Sequence, residues 1–294
     1  MSCGAKLPVF ALLVAAFFSE HEAWIMLIIT LVSWGGALLS AKLLRSTIIK
    51  GESTPFIMEL PPYRLPTFRG LAIHTWERTW QYVKKAGTVI LGISIVLWAL
   101  MTFPGLPQTQ QQAFDLQRQT LVATTPQAVV AEPAHDDEIH KPSLEEQLGT
   151  LDNQAAEAAL RYSVAGKIGI AMESVTQYAG FDWRTNIALV GGLAAKEVVV
   201  STLGTAYSLG EIDPEETASL ADTLANDPAW NPIVALSLII FTIFYAPCFV
   251  TVVCIAREAG SWKWGAFSII FNTTLAFGLS VLVYQIGSTG IFGG

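Results

Sequence analysis

The stretch Phe241-Thr-Ile-Phe-Tyr-Ala-Pro-Cys-Phe-Val-Thr-Val-Val-Cys254 lies inside an apolar run from Pro232 to Ala256. A run of about 20 apolar residues is long enough to cross a bilayer as a helix. Pro247 interrupts it. A proline inside a helix supplies no amide hydrogen and frees the carbonyl one turn earlier. In lipid a freed carbonyl must find a partner in a neighbouring helix or a wet cavity. Cys248, a soft ligand, follows the proline directly. Two readings stand: a kinked packing helix with an inert buried thiol, or a broken helix that offers an ion site at membrane depth.

Outward from this stretch the composition agrees with a membrane protein. Of 294 residues 52% are hydrophobic and only 14% charged, against about 25% charged in soluble domains. The net charge of -7 comes from acidic loops. Three cysteines, mostly in apolar segments, do not read as a disulfide framework. No signal-peptide pattern and no feature of nucleic-acid binding is visible. The expected fold is all-α: a polytopic transmembrane helical bundle with broken or re-entrant helices.

The chain divides into five parts. Residues 1–103 hold a short apolar helix (7–18) that looks cut off at its front, a span at 23–44, a basic segment and a further span at 86–103. In the 23–44 span, Ser33, Gly35-Gly36-Ala37 and Ser40 make a small-residue face for close helix contact. From Lys42 to Lys85 lie eight of the 17 Lys and Arg, which places that segment on the cytoplasmic side. Ile73 to Lys85, with Trp76 and Trp80 one turn apart, reads as an interfacial helix leading into the membrane. Residues 104–163, with nine acidic and three basic residues, form an external loop that is flexible in its first half. Ser143 caps a helix reaching Tyr162. Residues 164–206 form a helical hairpin of gate type: Phe181-Asp-Trp-Arg184 is its turn and Thr185 to Tyr207 one helix. Residues 207–231 are a second acidic loop. Residues 232–294 carry the opening stretch and the last span.

The groups able to carry chemistry are few. Lys6, Lys196 and Glu197 are ionisable residues in apolar segments, and such groups face protein interior or water. Successive helical side chains point about 100° apart, so Lys196 and Glu197 each need a partner elsewhere. Glu197 is a candidate lining for a cation path, or one half of a packing lock. Gly4-Ala-Lys-Leu-Pro-Val resembles Ala194-Ala-Lys-Glu-Val-Val, a weak internal repeat of Ala-Lys ahead of an apolar helix. Cys3, Cys248, Cys254 and Met172 are the soft residues, with Cys3 and Cys248 each beside a backbone breaker, Gly4 or Pro247. Cys254, six residues beyond Cys248, cannot chelate with it and is expected to pack. His74 with Glu77, and His135-Asp-Asp-Glu-Ile-His140, have metal-capable side chains but read first as solvated surface.

Two motifs make the chain recognisable. Met1-Ser-Cys-Gly-Ala-Lys-Leu-Pro-Val-Phe-Ala and Phe244-Tyr-Ala-Pro-Cys-Phe-Val-Thr251 resemble the two gate motifs of the ferrous iron transport protein B (FeoB) family. Phe56-Ile-Met-Glu-Leu-Pro-Pro-Tyr-Arg64, His74-Thr-Trp-Glu-Arg-Thr-Trp80, Gly180-Phe-Asp-Trp-Arg184 and Ala194 to Gly204 also resemble that family. The resemblance implies a bacterial inner-membrane importer of Fe2+, embedded in the lipid bilayer, with no permanently bound cofactor. It implies Cys3 and Cys248 as transient metal ligands; the reading of the residues adds Glu197 as a weaker candidate and Gly4, Pro8 and Pro247 as helix-breaking gate residues. The family also carries a GTPase domain and further helices ahead of the first gate. This sequence has no Gly-x4-Gly-Lys-Ser/Thr loop, so the expectation is no enzyme activity. GTP would act only through an upstream half on a separate chain, or one that is lost. Homo-oligomerisation is open. Two alternatives remain: a permease for nucleosides or another solute, and an inert truncated or split-gene fragment.

Overall fold

The computed structural model describes residues 3–48, 67–124, 144–207 and 218–291, and every regular element among them is helical. The segment 56–64, the capping residue Ser143 and the cluster 135–140 lie outside the described residues. The helices are α1 (Leu7–Phe17), α2 (Glu22–Thr47), α3 (Phe68–Thr102), α4 (Gln108–Thr124), α5 (Leu144–Tyr162), α6 (Val164–Thr176), α7 (Trp183–Ala194), α8 (Val198–Ala206), α9 (Ala218–Asn226), α10 (Pro232–Phe244), α11 (Phe249–Glu258) and α12 (Trp262–Ile286).

Three stretches are long and apolar enough to cross a membrane: Ser19–Thr47, Pro232–Glu258 and Trp262–Thr289. Large apolar side chains of α2 stay exposed, among them Trp24, Leu31, Trp34 and Leu38. In water that would be an unstable surface, but it suits lipid. The interfacial helix and the span expected on either side of Lys85 form one continuous helix, α3. No proline falls between Phe68 and Thr102, so nothing forces a break. At 1.5 Å per residue this helix is about 50 Å long, more than the hydrocarbon thickness. Its fully apolar part is Leu91–Thr102. Trp76 and Trp80 stack on one face with ring centres 6.3 Å apart.

In the first half of 104–163, expected to be flexible, residues 108–124 form the helix α4, and the helix expected to reach Tyr162 is α5. α4 and α5 pair through Arg118 and Asp152, 2.9 Å apart, and Gln110 donates to the Tyr162 hydroxyl at 2.9 Å. The polar residues of 108–124 are mostly Gln, Arg and Leu-compatible helix formers rather than Gly or Pro, which explains the helix.

The core forms around α1. Phe10, Leu12 and Leu13 are almost wholly buried, in one apolar cluster with Leu203 of α8, Leu224 of α9 and Leu238 of α10. Pro8 sits in the first turn of α1, where a missing amide hydrogen costs nothing, so it starts this helix rather than breaking it. α10 and α12 approach closely because both present a serine at the contact. Ser280 Oγ donates to the Ser237 carbonyl at 2.9 Å, while Ser237 Oγ donates to the Ala179 carbonyl at 2.8 Å and lies 3.2 Å from the Ser280 carbonyl. Small hydroxyl residues at such a seam satisfy themselves and let backbones meet.

Residues 164–206 contain one more reversal than expected. Gly180, at φ 81°, turns the chain after α6, and Tyr284 packs where a side chain would stand. Asp182 then caps α7 by accepting from the Thr185 amide at 2.8 Å. The helix expected from Thr185 to Tyr207 is divided at Ala195–Glu197. Ala195 is extended (φ -144°, ψ 125°). Gly192 at the end of α7 leaves room for Val199, and Arg184 Nε at its start reaches the Ala206 carbonyl at 2.9 Å. α7 and α8 therefore run antiparallel, and Lys196 lies at their tip.

Candidate functional site

Between α10 and α11 the backbone leaves helical geometry. Tyr245 is extended (φ -52°, ψ 147°), as is Cys248 (φ -60°, ψ 154°), which caps α11. Pro247 lies within this non-helical segment, not inside a helix. The carbonyl that an amide at position 247 would have bonded is that of Ile243. Lys6 Nζ donates to it at 3.0 Å. The need for a partner, read from one proline, is met by a residue from the far end of the chain.

This contact brings the two gate motifs together. Cys3 precedes the single turn Gly4–Lys6 that leads into α1. Cys3 and Cys248 line one cavity of about 370 Å³, together with Lys6, Lys196, Tyr245 and Thr251. The small face of α2 forms another wall through Ser33, Gly36, Ala37 and Ser40. Gly36 leaves room there: a Cβ on it would clash with the Phe244 ring, which would have to shift. The small-residue face thus both seats Phe244 and bounds the cavity. Cys248 Sγ lies 3.2 Å from the Thr251 hydroxyl.

The segment 245–248 is tethered from several sides. The Tyr245 hydroxyl donates to the Leu189 carbonyl of α7 at 2.9 Å. The Tyr245 ring stacks near Phe241, and Lys196 Nζ sits 3.5 Å from its centre. Lys196 is 5% exposed and its ammonium has no hydrogen-bond acceptor among the described residues. Lys6 and Lys196, noted in the sequence only as costly buried charges and as a weak repeat, thus meet at the same cavity.

Other sequence candidates fall elsewhere. Glu197 is exposed at the start of α8 and is not among the cavity-lining residues. Gly4 has no neighbour within 4 Å of the place a Cβ would take. Cys254 is exposed rather than packed, because the buried face of α11 is Val252, Val253 and Ala256. Met172 is exposed on α6, and His74 and Glu77 lie on the exposed face of α3. Among the described residues no three His, Cys, Asp or Glu side chains gather as a metal-binding cluster. Among the described residues the cavity offers two thiols, two lysine side chains, hydroxyls and carbonyls, a sparse donor set of the kind that suits a soft or borderline cation better than a closed structural metal centre. What sequence reasoning missed is the aromatic support. Tyr245 stood within the opening stretch, but only its hydrogen bond to α7 reveals a role.

The structure is thus an all-helical bundle of membrane type, with exposed apolar helix faces and two cysteine-bearing non-helical segments that meet at one cavity. The chain belongs to the ferrous iron transport protein B family, of which it matches the C-terminal membrane part. Residues 26–78 match the family model described as ferrous iron transport protein B C terminus, and residues 83–262 match the gate model described as nucleoside recognition. The Fe(2+) transport protein A/Fe(2+) transporter FeoB fusion protein of Porphyromonas gingivalis is 37% identical over 98% of this chain and 33% of its own length. The Fe(2+) transporter FeoB of Helicobacter pylori (strain J99) is 33% identical over 97% of this chain and 42% of its own. That of Staphylococcus aureus (strain MSSA476) is 31% identical over 98% and 35%. The chain therefore spans less than half the length of these curated relatives. No solved structure matches it.

Proposed function

We propose that this chain is the membrane permease part of a ferrous iron uptake transporter in a bacterial inner membrane, with Fe2+ as its substrate. Cys3 and Cys248 are its transient ligands. The observation that carries the reading is that these cysteines, from opposite ends of the chain, line one cavity at two non-helical segments. Their sulfur suits a borderline cation. The scarcity of carboxylates keeps the ion from being held too tightly to leave. Glu197, exposed at the head of α8 and not among the cavity-lining residues, is a secondary ligand. The relatives are longer than this chain, so an upstream part, on the same or a separate polypeptide, supplies any GTP dependence.

The test is Fe2+ uptake by a complete transporter in cells lacking their own ferrous system. Cys3→Ser with Cys248→Ser should abolish most uptake while the protein stays in the membrane. Unchanged uptake would remove the thiols from the mechanism. A nucleoside substrate, suggested by the gate model's description, predicts competition by nucleosides instead of by divalent metals.

A further inference from the structure

The cavity that holds the two cysteines also holds two buried lysines, for which the cysteine reading has no use. Lys6 and Lys196 are 6% and 5% exposed. They occupy similar places: Lys6 directly precedes α1 at Leu7, and Lys196 lies two residues ahead of the start of α8 at Val198. A buried ammonium is ordinarily paired with a carboxylate. Here the lining residues include no Asp or Glu among the described residues. Lys6 satisfies itself with the Ile243 carbonyl. Lys196 faces only the Tyr245 ring, with no hydrogen-bond acceptor among the described residues, an attraction that a ring face offers any cation.

Like charges repel as the inverse of distance and dielectric constant, and a poorly solvated cavity lowers that constant. A divalent cation entering between the thiols therefore loses part of the attraction they offer. Conduction needs a site that an ion enters and leaves, so this loss has a use. We propose that Lys6 and Lys196 act as tethered counter-cations that weaken the Cys3–Cys248 site for divalent metal, Lys196 chiefly, and thereby set how readily the ion is released. This rests on the two cysteines being the metal ligands.

The experiment uses the full chain in lipid nanodiscs under anaerobic conditions, with Co2+ as probe and its thiolate charge-transfer absorption as readout. Lys196→Leu keeps an apolar side chain over Tyr245, removes the charge and adds no metal donor. It should bind Co2+ roughly tenfold tighter or more, with Lys196→Arg close to the unsubstituted protein. A folded Lys196→Leu protein with unchanged or weaker Co2+ binding overturns the proposal. If that variant does not fold, Ser40→Lys, at a partly buried position on the same cavity, adds a third cation. It should weaken Co2+ binding by roughly the same factor, and unchanged binding overturns the proposal. A thiolate band missing from the unsubstituted protein and from both variants would overturn the cysteine reading itself, and the lysine proposal with it.

Discussion

Pro247 has no amide hydrogen, and the carbonyl it leaves belongs to Ile243. Lys6 answers it from 237 positions away in the sequence. Replacing Lys6 by Met should leave that carbonyl unsatisfied and cost about 1–3 kcal/mol, measured as a lower thermal midpoint in detergent. Lys6→Arg, which keeps a donor, should lose less. Gly36 and Gly35 make a matched pair on α2. A side chain at Gly36 meets Phe244, while Gly35 has nothing within 4 Å. Gly36→Val should therefore destabilise by about 1–3 kcal/mol through overpacking, and Gly35→Val should be nearly neutral, by the same thermal measurement. At this scale the sequence was informative about need but not about partner. The proline announced an orphan carbonyl, and Lys6 and Lys196 announced buried charge. That these needs meet at one cavity depends on contacts between residues more than 180 positions apart, which no local spacing encodes.

The helices behave as their punctuation dictates, with two instructive exceptions. The long spans and the small face of α2 could be read from hydropathy and spacing, as could a turn at Phe181–Arg184, although α7 takes up Trp183 and Arg184 and the reversal itself lies at Gly180. The division between α7 and α8 could not, because Ala194-Ala-Lys-Glu contains no proline or glycine to mark it. That reversal is imposed by packing: Val199 against Gly192, and Arg184 on the Ala206 carbonyl. The opposite error lies in α3, where a change from polar to apolar composition suggested two elements and the backbone makes one. For α10 and α11, Pro247 is the element-level determinant. Pro247→Ala restores an amide able to compete with Lys6 for the Ile243 carbonyl. It should extend helical order across residues 245–248, seen as slowed amide hydrogen exchange there, and reduce Fe2+ uptake by the complete transporter. Unchanged exchange would mean that the tethers on Tyr245, not the proline, hold the break open.

As a whole the molecule is a bundle whose first and penultimate helices, α1 and α11, begin at cysteine-bearing segments, while α7 and α8 fold back to bring a lysine to the same place. The gate motifs could be recognised from the sequence, as could the all-helical membrane class. Their convergence on one cavity, with the small face of α2 as its wall, became visible only in three dimensions. Cys254 provides an internal reference, since it is exposed on the outward side of α11 and not among the cavity-lining residues. The most direct test of the account is the rate at which a thiol-alkylating maleimide modifies each cysteine in membranes, under anaerobic conditions, with and without Fe2+. The account predicts that Fe2+ slows modification of Cys3 and Cys248 together and leaves Cys254 unchanged. Equal rates at all three cysteines, with or without Fe2+, would contradict it.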